Sequence, residues 1–419
     1  MRQFSITSQT RRLGKLDIAK IREDFPTLQS DDAPAYLDNA CVTLRPHSVI
    51  QSIRDYYEIS PGCGGRSVHK YGTMVSKAII QSRIKLANMV NANTANEIVY
   101  TKNATQSLNQ ISKGLQWEKG DVILTTDREH NSNLVPWLQL EQEQGVVHEV
   151  IPSFEDNTFD LETFEEMCAQ ASGKLKMVSV GHVGNLDGVS TPVKEITKVA
   201  KDHGAMVCVD GAQSLPHKPV DVQDLDIDFF AFSIHKMCGP SGMGGFWARK
   251  EHLEQMRSIQ AGGQTVKTTR YDGFEWAEPP ARFEGGLGHF AGMKATADAV
   301  DYLAQFDMND VQAHEIKLNQ VMTNHLKDID GISIIGPENP ELRGGILSLH
   351  LENHEAHEIA MLLDESANVM VRSGQHCVHS WFHAKGIQGS LRASAYLYNT
   401  VDEVKLFSET LEEILTILG

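Results

Sequence analysis

Short runs of apolar, β-branched and aromatic residues punctuate the middle of the chain, at 97–101, 121–126, 146–151, 176–183, 205–210, 228–234 and 242–248. Runs of this length and make-up predict strands buried on both faces. Between them the apolar positions recur every three or four residues, at 105–115, 133–144, 161–171 and 193–203, the last stopped by Gly204, and this spacing predicts helices. Strand and helix in alternation predict an α/β fold with a large, mostly parallel sheet covered on both faces. Beyond Gly286 the pattern changes. Long helical periods at 289–305 and 310–326 precede strand-like 332–335 and 345–351, and a second helix-strand alternation follows at 355–363, 369–372, 390–397 and 401–417. These predict a smaller α+β domain. The expected division is an N-terminal segment, 1–35, packing on the small domain through residues near 18–25, a large domain, 36–288, and a small domain, 289–419, that carries the last cysteine.

Composition narrows the function. The 419 residues are 41% hydrophobic and 22% charged, ample for two cores. A net charge of 38 − 55 = −17 argues against nucleic acid or an anionic membrane as a partner. Residues 1–8 lack an apolar signal core, and no stretch approaches the roughly 20 apolar residues of a membrane span, so a cytoplasmic protein is expected. Six cysteines without a CxxC predict reduced thiols. Of these, Cys168 and Cys208 read as structural, whereas Cys377 is flanked by His376, His379 and Gly374. Three ligands so close together, with no distant partner, predict no metal site. The run from Gly239 to Gly245 lacks the Gly-Lys-Ser/Thr ending of a nucleotide loop.

The sharper signal is a pair. Lys236 follows the apolar run 228–232 into a turn with Gly239 and Pro240, and Asp210 ends the run 205–209 ahead of Gly211, Ala212 and Gln213. Taken singly, they read as a surface lysine and a strand-end aspartate. Taken together they suit pyridoxal phosphate chemistry, in which a lysine holds the aldehyde as a Schiff base and a carboxylate keeps the pyridine nitrogen protonated.

Five segments make a family resemblance. Asp210-Gly211-Ala212-Gln213 with Ser233-Ile234-His235-Lys236-Met237-Cys238-Gly239-Pro240, then Glu129-His130-Asn131-Ser132-Asn133-Leu134-Val135-Pro136-Trp137, Arg372-Ser373-Gly374-Gln375-His376-Cys377 and Leu391-Arg392-Ala393-Ser394 resemble the motifs of group II cysteine desulfurases and selenocysteine lyases, fold type I pyridoxal phosphate enzymes of the class V aminotransferase superfamily. The likeness runs from about residue 36 to the C-terminus. It implies pyridoxal 5′-phosphate as cofactor, with Lys236 as the Schiff-base lysine, Asp210 on the pyridine nitrogen and His130 stacked on the ring. Gln213 would donate to the phenolic oxygen, Asn185 would lie near it and beside the substrate, and Ser233, His235, Ala104 and Thr105 would surround the phosphate. Cys377 is cast as the persulfide carrier, attended by His376 and Arg372, and Arg392 as the clamp on the substrate carboxylate. Arg66 and His69 resemble a substrate-binding segment that reaches a neighbouring active site, implying a homodimer. The implied activity removes sulfur from L-cysteine, giving L-alanine and a persulfide for a sulfur-acceptor protein in iron–sulfur cluster assembly or another sulfur-transfer pathway. Selenocysteine lyase, another class V enzyme such as an aminotransferase or epimerase, and a non-catalytic sulfur-relay protein are the alternatives. Three positions depart from the pattern: Ala104 and Leu287 stand where the family usually has phosphate-side threonines, and Ile234 where it has a small residue.

Overall fold

The computed structural model describes residues 16–419. Seven strands form the main sheet: β1 (Ile98–Thr101), β2 (Val122–Thr126), β3 (Val147–Ile151), β4 (Leu175–Gly181), β5 (Met206–Asp210), β6 (Phe229–Ser233) and β7 (Gly244–Ala248). Their order is β1-β7-β6-β5-β4-β2-β3. Strands β2 to β6 pair in parallel, and β7 lies antiparallel between β6 and β1. Two reversals cancel, so β1 points the same way as β6, and β1 to β6 all deliver their C-terminal ends to one edge. That edge of an open α/β sheet is where ligands bind.

The continuous apolar runs are explained by burial on both faces. Helices Ala104–Gly114 and Asn131–Gln144 bury Leu108, Ile111 and Trp137 against one face. On the other, Leu161–Gln170 and Val193–Asp202 bury Phe164 and Ile196. In the smaller lobe, strands Ile332–Ile335, Ile346–Leu351, Ser390–Ser394 and Arg372–Gly374 form an antiparallel sheet in that order. Helices Met308–Leu326, Ala356–Ala367 and Val401–Leu418 close its core around Leu318, Leu363 and Phe407. Arg372 and Arg392 face each other in the register of its last pair.

Packing moves the lobe boundary away from 288/289. Helix Phe290–Leu303 lies on helices His47–Ile59 and Lys70–Met89, and its Phe290, Met293 and Leu303 join the large-lobe core. The pattern changes from strand to helix there, yet that helix still serves the large sheet. The N-terminal segment likewise ties both lobes rather than one. Ile21, Phe25 and Leu28 are buried in the large-lobe core, while Arg22 pairs with Glu403 of the small lobe at 2.7 Å. Residues 1–15 of that segment lie outside the described residues. Among the described residues no helix is long and apolar enough to cross a membrane.

Candidate active site

The strand ends and the small lobe enclose a cavity of about 260 Å³. Strand β6 ends at Ser233 and passes into a single 3₁₀ turn, Ile234–Lys236, that aims Lys236 into it. Among the described residues Lys236 Nζ has no hydrogen bond or salt bridge. Burial pushes its ammonium down, with Asp210 opposing. Asp210, at the end of β5, lines the cavity and accepts the Ala212 N–H at 3.0 Å through Oδ1, which leaves Oδ2 without a hydrogen-bond partner among the described residues. Burial raises its carboxyl against the pull of that N–H and of Lys236.

His130 caps helix Asn131–Gln144 by accepting the Ser132 N–H on Nδ1 at 3.0 Å. Burial, then the charge of Lys236, holds its imidazole down to about 3. The ring is therefore neutral, and with Nδ1 accepting, its proton sits on Nε2. Beneath it the buried Glu129 accepts from Thr126 Oγ1 at 2.6 Å, Asn133 Nδ2 at 2.7 Å and the Gly181 N–H at 2.9 Å. Burial pushes this carboxyl up to about 6. This network fixes the start of the helix that presents His130.

At one end of the cavity helix Ala104–Gly114 opens toward it, capped by Asn103, which accepts the Gln106 N–H at 3.0 Å. Strand β7 comes so close that a Cβ on Gly244 would lie 2.4 Å from Asn103 Cα, so only glycine allows this placement. Ser233 Oγ accepts the Ala104 N–H at 3.0 Å, and Thr105 Oγ1 lies 2.6 Å from Ser132 Oγ. Ser132, which the sequence did not single out, brings a second hydroxyl beside Thr105 where Ala104 lacks one. His235 lines the same cavity, its imidazole held down to about 4 by burial and then by Lys236.

The opposite end belongs to the small lobe. Arg392, 2% exposed, donates from Nη1 to Asn185 O at 2.9 Å and from Nη2 to Asp38 Oδ1 at 3.2 Å, and its Nε has no partner. Asn185 Nδ2 donates to His376 O at 2.7 Å. His376 and Cys377 both take left-handed backbone angles, φ 48° and 61°. For non-glycine residues this costs on the order of 1–3 kcal/mol each and persists only where the surroundings enforce it. Here Asn185 holds the first carbonyl and the Asn131 N–H holds the second at 2.7 Å.

Two expectations are corrected by this geometry. His376 faces Ser390 Oγ through Nε2 at 2.8 Å, and burial holds it down to about 2, so it offers Cys377 no positive charge. Arg372 donates from Nη1 to the sulfur of Cys41 at 3.1 Å, not to Cys377. Gln213 Nε2 donates one N–H to Ala40 O at 2.7 Å, which leaves its second N–H for the expected bond to the phenolic oxygen, and its buried Oε1 has no partner. Arg66 and His69 are exposed and line no part of the cavity. His69 caps helix Lys70–Met89 by accepting the Gly72 N–H. Two residues that sequence reasoning passed over, Cys41 and Asp38, meet Arg372 at the cavity edge.

The cavity fits a phosphorylated pyridine aldehyde. It offers a free amine, a carboxylate oxygen without a partner, a neutral flat ring, and a helix N-terminus with hydroxyls suited to a phosphate.

Buried histidines also set a pH response. His182 and His376 are held down to about 3 and about 2, each mainly by burial. Unfolded, each takes a proton below about 6.5, so stability is present above that pH and is lost as pH falls, at about 1.4 kcal/mol per pH unit for each. Glu129, raised to about 6, works in the opposite sense and offsets one of them between pH 6 and its unfolded value. The urea midpoint should therefore drop between pH 7 and pH 5, and His376→Gln should flatten the drop. A flat wild-type profile would refute this account.

Residues 35–407 match the class-V aminotransferase family model, and the chain belongs to that family. It is 35% identical to a curated cysteine desulfurase of Haloferax volcanii, over 93% of this chain and 95% of that protein. Among solved structures it resembles the apo cysteine desulfurase of Thermococcus onnurineus, with 33% identity, a TM-score of 0.91 and coverage of 96% and 98% of the two chains. The cysteine desulfurase of Escherichia coli is similar as well, with 29% identity, a TM-score of 0.88 and coverage of 96% and 99%.

Proposed function

We propose that the protein is a pyridoxal-phosphate-dependent cysteine desulfurase, which converts L-cysteine to L-alanine and leaves the sulfur as a persulfide on Cys377. The observation that carries this is one cavity holding the unpartnered Lys236 amine, the Asp210 carboxylate, the buried Arg392 and the Cys377 thiol. Pyridoxal 5′-phosphate would be held by Lys236 at its aldehyde, by Asp210 at its ring nitrogen and under His130, with its phosphate toward Thr105, Ser132, Ser233 and His235. When bound, it supplies an electron sink for the charge released at the substrate Cα.

The chain's own groups do the rest. Arg392 receives the substrate carboxylate, its unpartnered Nε adding to the fork that suits a planar anion. Lys236, drawn toward its neutral form by burial, takes the Cα proton. The Cys377 sulfur, presented on the left-handed turn, attacks the substrate sulfur. The S–S bond forms as the Cβ–S bond breaks, and the carbon fragment takes up a proton and leaves as L-alanine.

A homodimer formed through the surface near Arg66 is part of this reading. Loop residues Gly64 and Gly65, Ile79 and Ile80 of helix Lys70–Met89, and Phe290 wall a groove there, and Val68 and Leu287 stand 97% and 76% exposed. Such apolar exposure supports a homodimer. Six free cysteines suit a reducing, cytoplasmic location, with a sulfur-acceptor protein as the partner that unloads Cys377.

The cofactor-loaded protein with L-cysteine and a reductant should release alanine and sulfide in equal amounts. Bound cofactor without alanine formation would overturn the reading. Asp210→Asn should still bind cofactor yet lose on the order of 10²-fold in rate, about 2.7 kcal/mol of barrier. Near-normal turnover in that variant would assign the ring nitrogen to another residue.

A further inference from the structure

The cavity holds two thiols where the proposed reaction uses one. Besides Cys377, Cys41 lines the same space, in the turn that leads from strand Ala35–Tyr36 to helix His47–Ile59. That turn is clamped from several directions. The Ala40 N–H donates to Ser394 Oγ at 2.9 Å, Ala40 O accepts from Gln213 at 2.7 Å, and Thr43 binds both His235 O and the Cys238 N–H. The sulfur is therefore carried on fixed backbone, not on a mobile loop.

Its surroundings are those of a reaction partner. Arg372 Nη1 donates to Cys41 Sγ at 3.1 Å, so a guanidinium is already seated on this sulfur. Arg392, paired across the strands from Arg372, is 2% exposed and lines the same cavity, with its Nε unpartnered.

Resting on the desulfurase reading above, we infer that Cys41 is a second sulfur-handling residue, which takes the outer sulfur from the Cys377 persulfide inside the cavity. The Cys41 sulfur attacks the outer sulfur of the persulfide, a bond forms between them, and the bond from the outer sulfur to Cys377 Sγ breaks. The electron pair and the Cys41 proton end on Cys377, which is restored as a thiol. One persulfide is consumed and one is formed, so no oxidant or reductant is required. Arg372 positions the attacking sulfur and stays beside it as the new persulfide forms. Cys377 is then free for another substrate while the first sulfur rests on Cys41.

The test is a count. Cofactor-loaded wild type, mixed with excess L-cysteine without acceptor or reductant, should release a burst of two alanines per active site. Peptide mass analysis should find one added sulfur on Cys41 and one on Cys377. In Cys41→Ser the burst should fall to one, with sulfur on Cys377 alone, and the unchanged visible absorbance of the bound cofactor would show that the site is intact. A burst of one in wild type with sulfur only on Cys377 would overturn the inference and leave the desulfurase reading standing. Two sulfurs stacked on Cys377, or a Cys41–Cys377 disulfide with released sulfide, would also overturn it. No alanine and no sulfur on Cys377 in wild type would instead sink the desulfurase reading beneath it.

Discussion

Replacing Lys236 by alanine is expected to abolish turnover of L-cysteine, with a loss of ~10⁴-fold or more, because a positioned proton acceptor alone contributes about 10²- to 10⁴-fold and the covalent hold on the cofactor is lost with it. Among the described residues no other amine lines the cavity. The other cations that line it are the guanidiniums of Arg128, Arg372 and Arg392, which cannot give up a proton to become a base. His130 is no substitute either, since its Nδ1 is engaged by the Ser132 N–H and its Nε2 already carries a proton. Lys236→Arg should fail as completely as the alanine variant, because a guanidinium neither condenses with an aldehyde nor accepts a proton. The visible absorbance of the cofactor-loaded protein should shift or vanish in both variants while far-ultraviolet circular dichroism stays unchanged. Sustained multiple turnover by either variant would remove Lys236 from its assigned place.

The position of Lys236 was legible because it is a local consequence of the chain. A continuous apolar run becomes a doubly buried strand, the strand ends where the run ends, and the turn after it delivers whatever residue comes next. The same logic placed Asp210 at the end of β5, His130 after β2 and Asn185 after β4, and parallel pairing then brought these ends together. What the sequence concealed was long-range or orientational. Cys41 gains its meaning from Arg372, 331 residues away in the chain, and no spacing or motif announces that contact. His376 and Arg372 were assigned to Cys377 because they are its neighbours in sequence. The left-handed turn at 376–377 and the pairing of Arg372 across from Arg392 send them to Ser390 and to Cys41 and Asp38 instead. The amphipathic helices His47–Ile59 and Lys70–Met89 went unread, since their buried residues are interspersed with polar ones such as Ser52, Ser82 and Arg83. Arg83 explains itself only in three dimensions, where it forms a bidentate pair with Glu284 at 2.7 and 2.8 Å.

Cys377→Ala separates substrate binding from sulfur removal. The variant leaves Lys236, Asp210 and Arg392 untouched, and the Asn185 and Asn131 contacts that shape the turn are made to backbone carbonyls, so they survive the loss of the thiol. L-cysteine should therefore still bind and still perturb the cofactor's visible spectrum. Alanine release from L-cysteine should fall by on the order of 10³-fold or more, about 4 kcal/mol of barrier, because no sulfur remains to attack the substrate sulfur from the position of Cys377. Selenocysteine gives the internal control. Its selenium departs from carbon more readily than sulfur and needs no attacking thiol, so turnover of that substrate should stay within about tenfold of wild type, a change of less than 1.4 kcal/mol. In wild type exposed briefly to L-cysteine, added sulfur should be found on Cys377 at the earliest time, and it is lost to thiol reductants as a reversible modification should be. Normal desulfuration by Cys377→Ala, or first sulfur found on Cys63 or Cys238, would mean that the attack comes from elsewhere and that the strained turn at 376–377 serves another purpose.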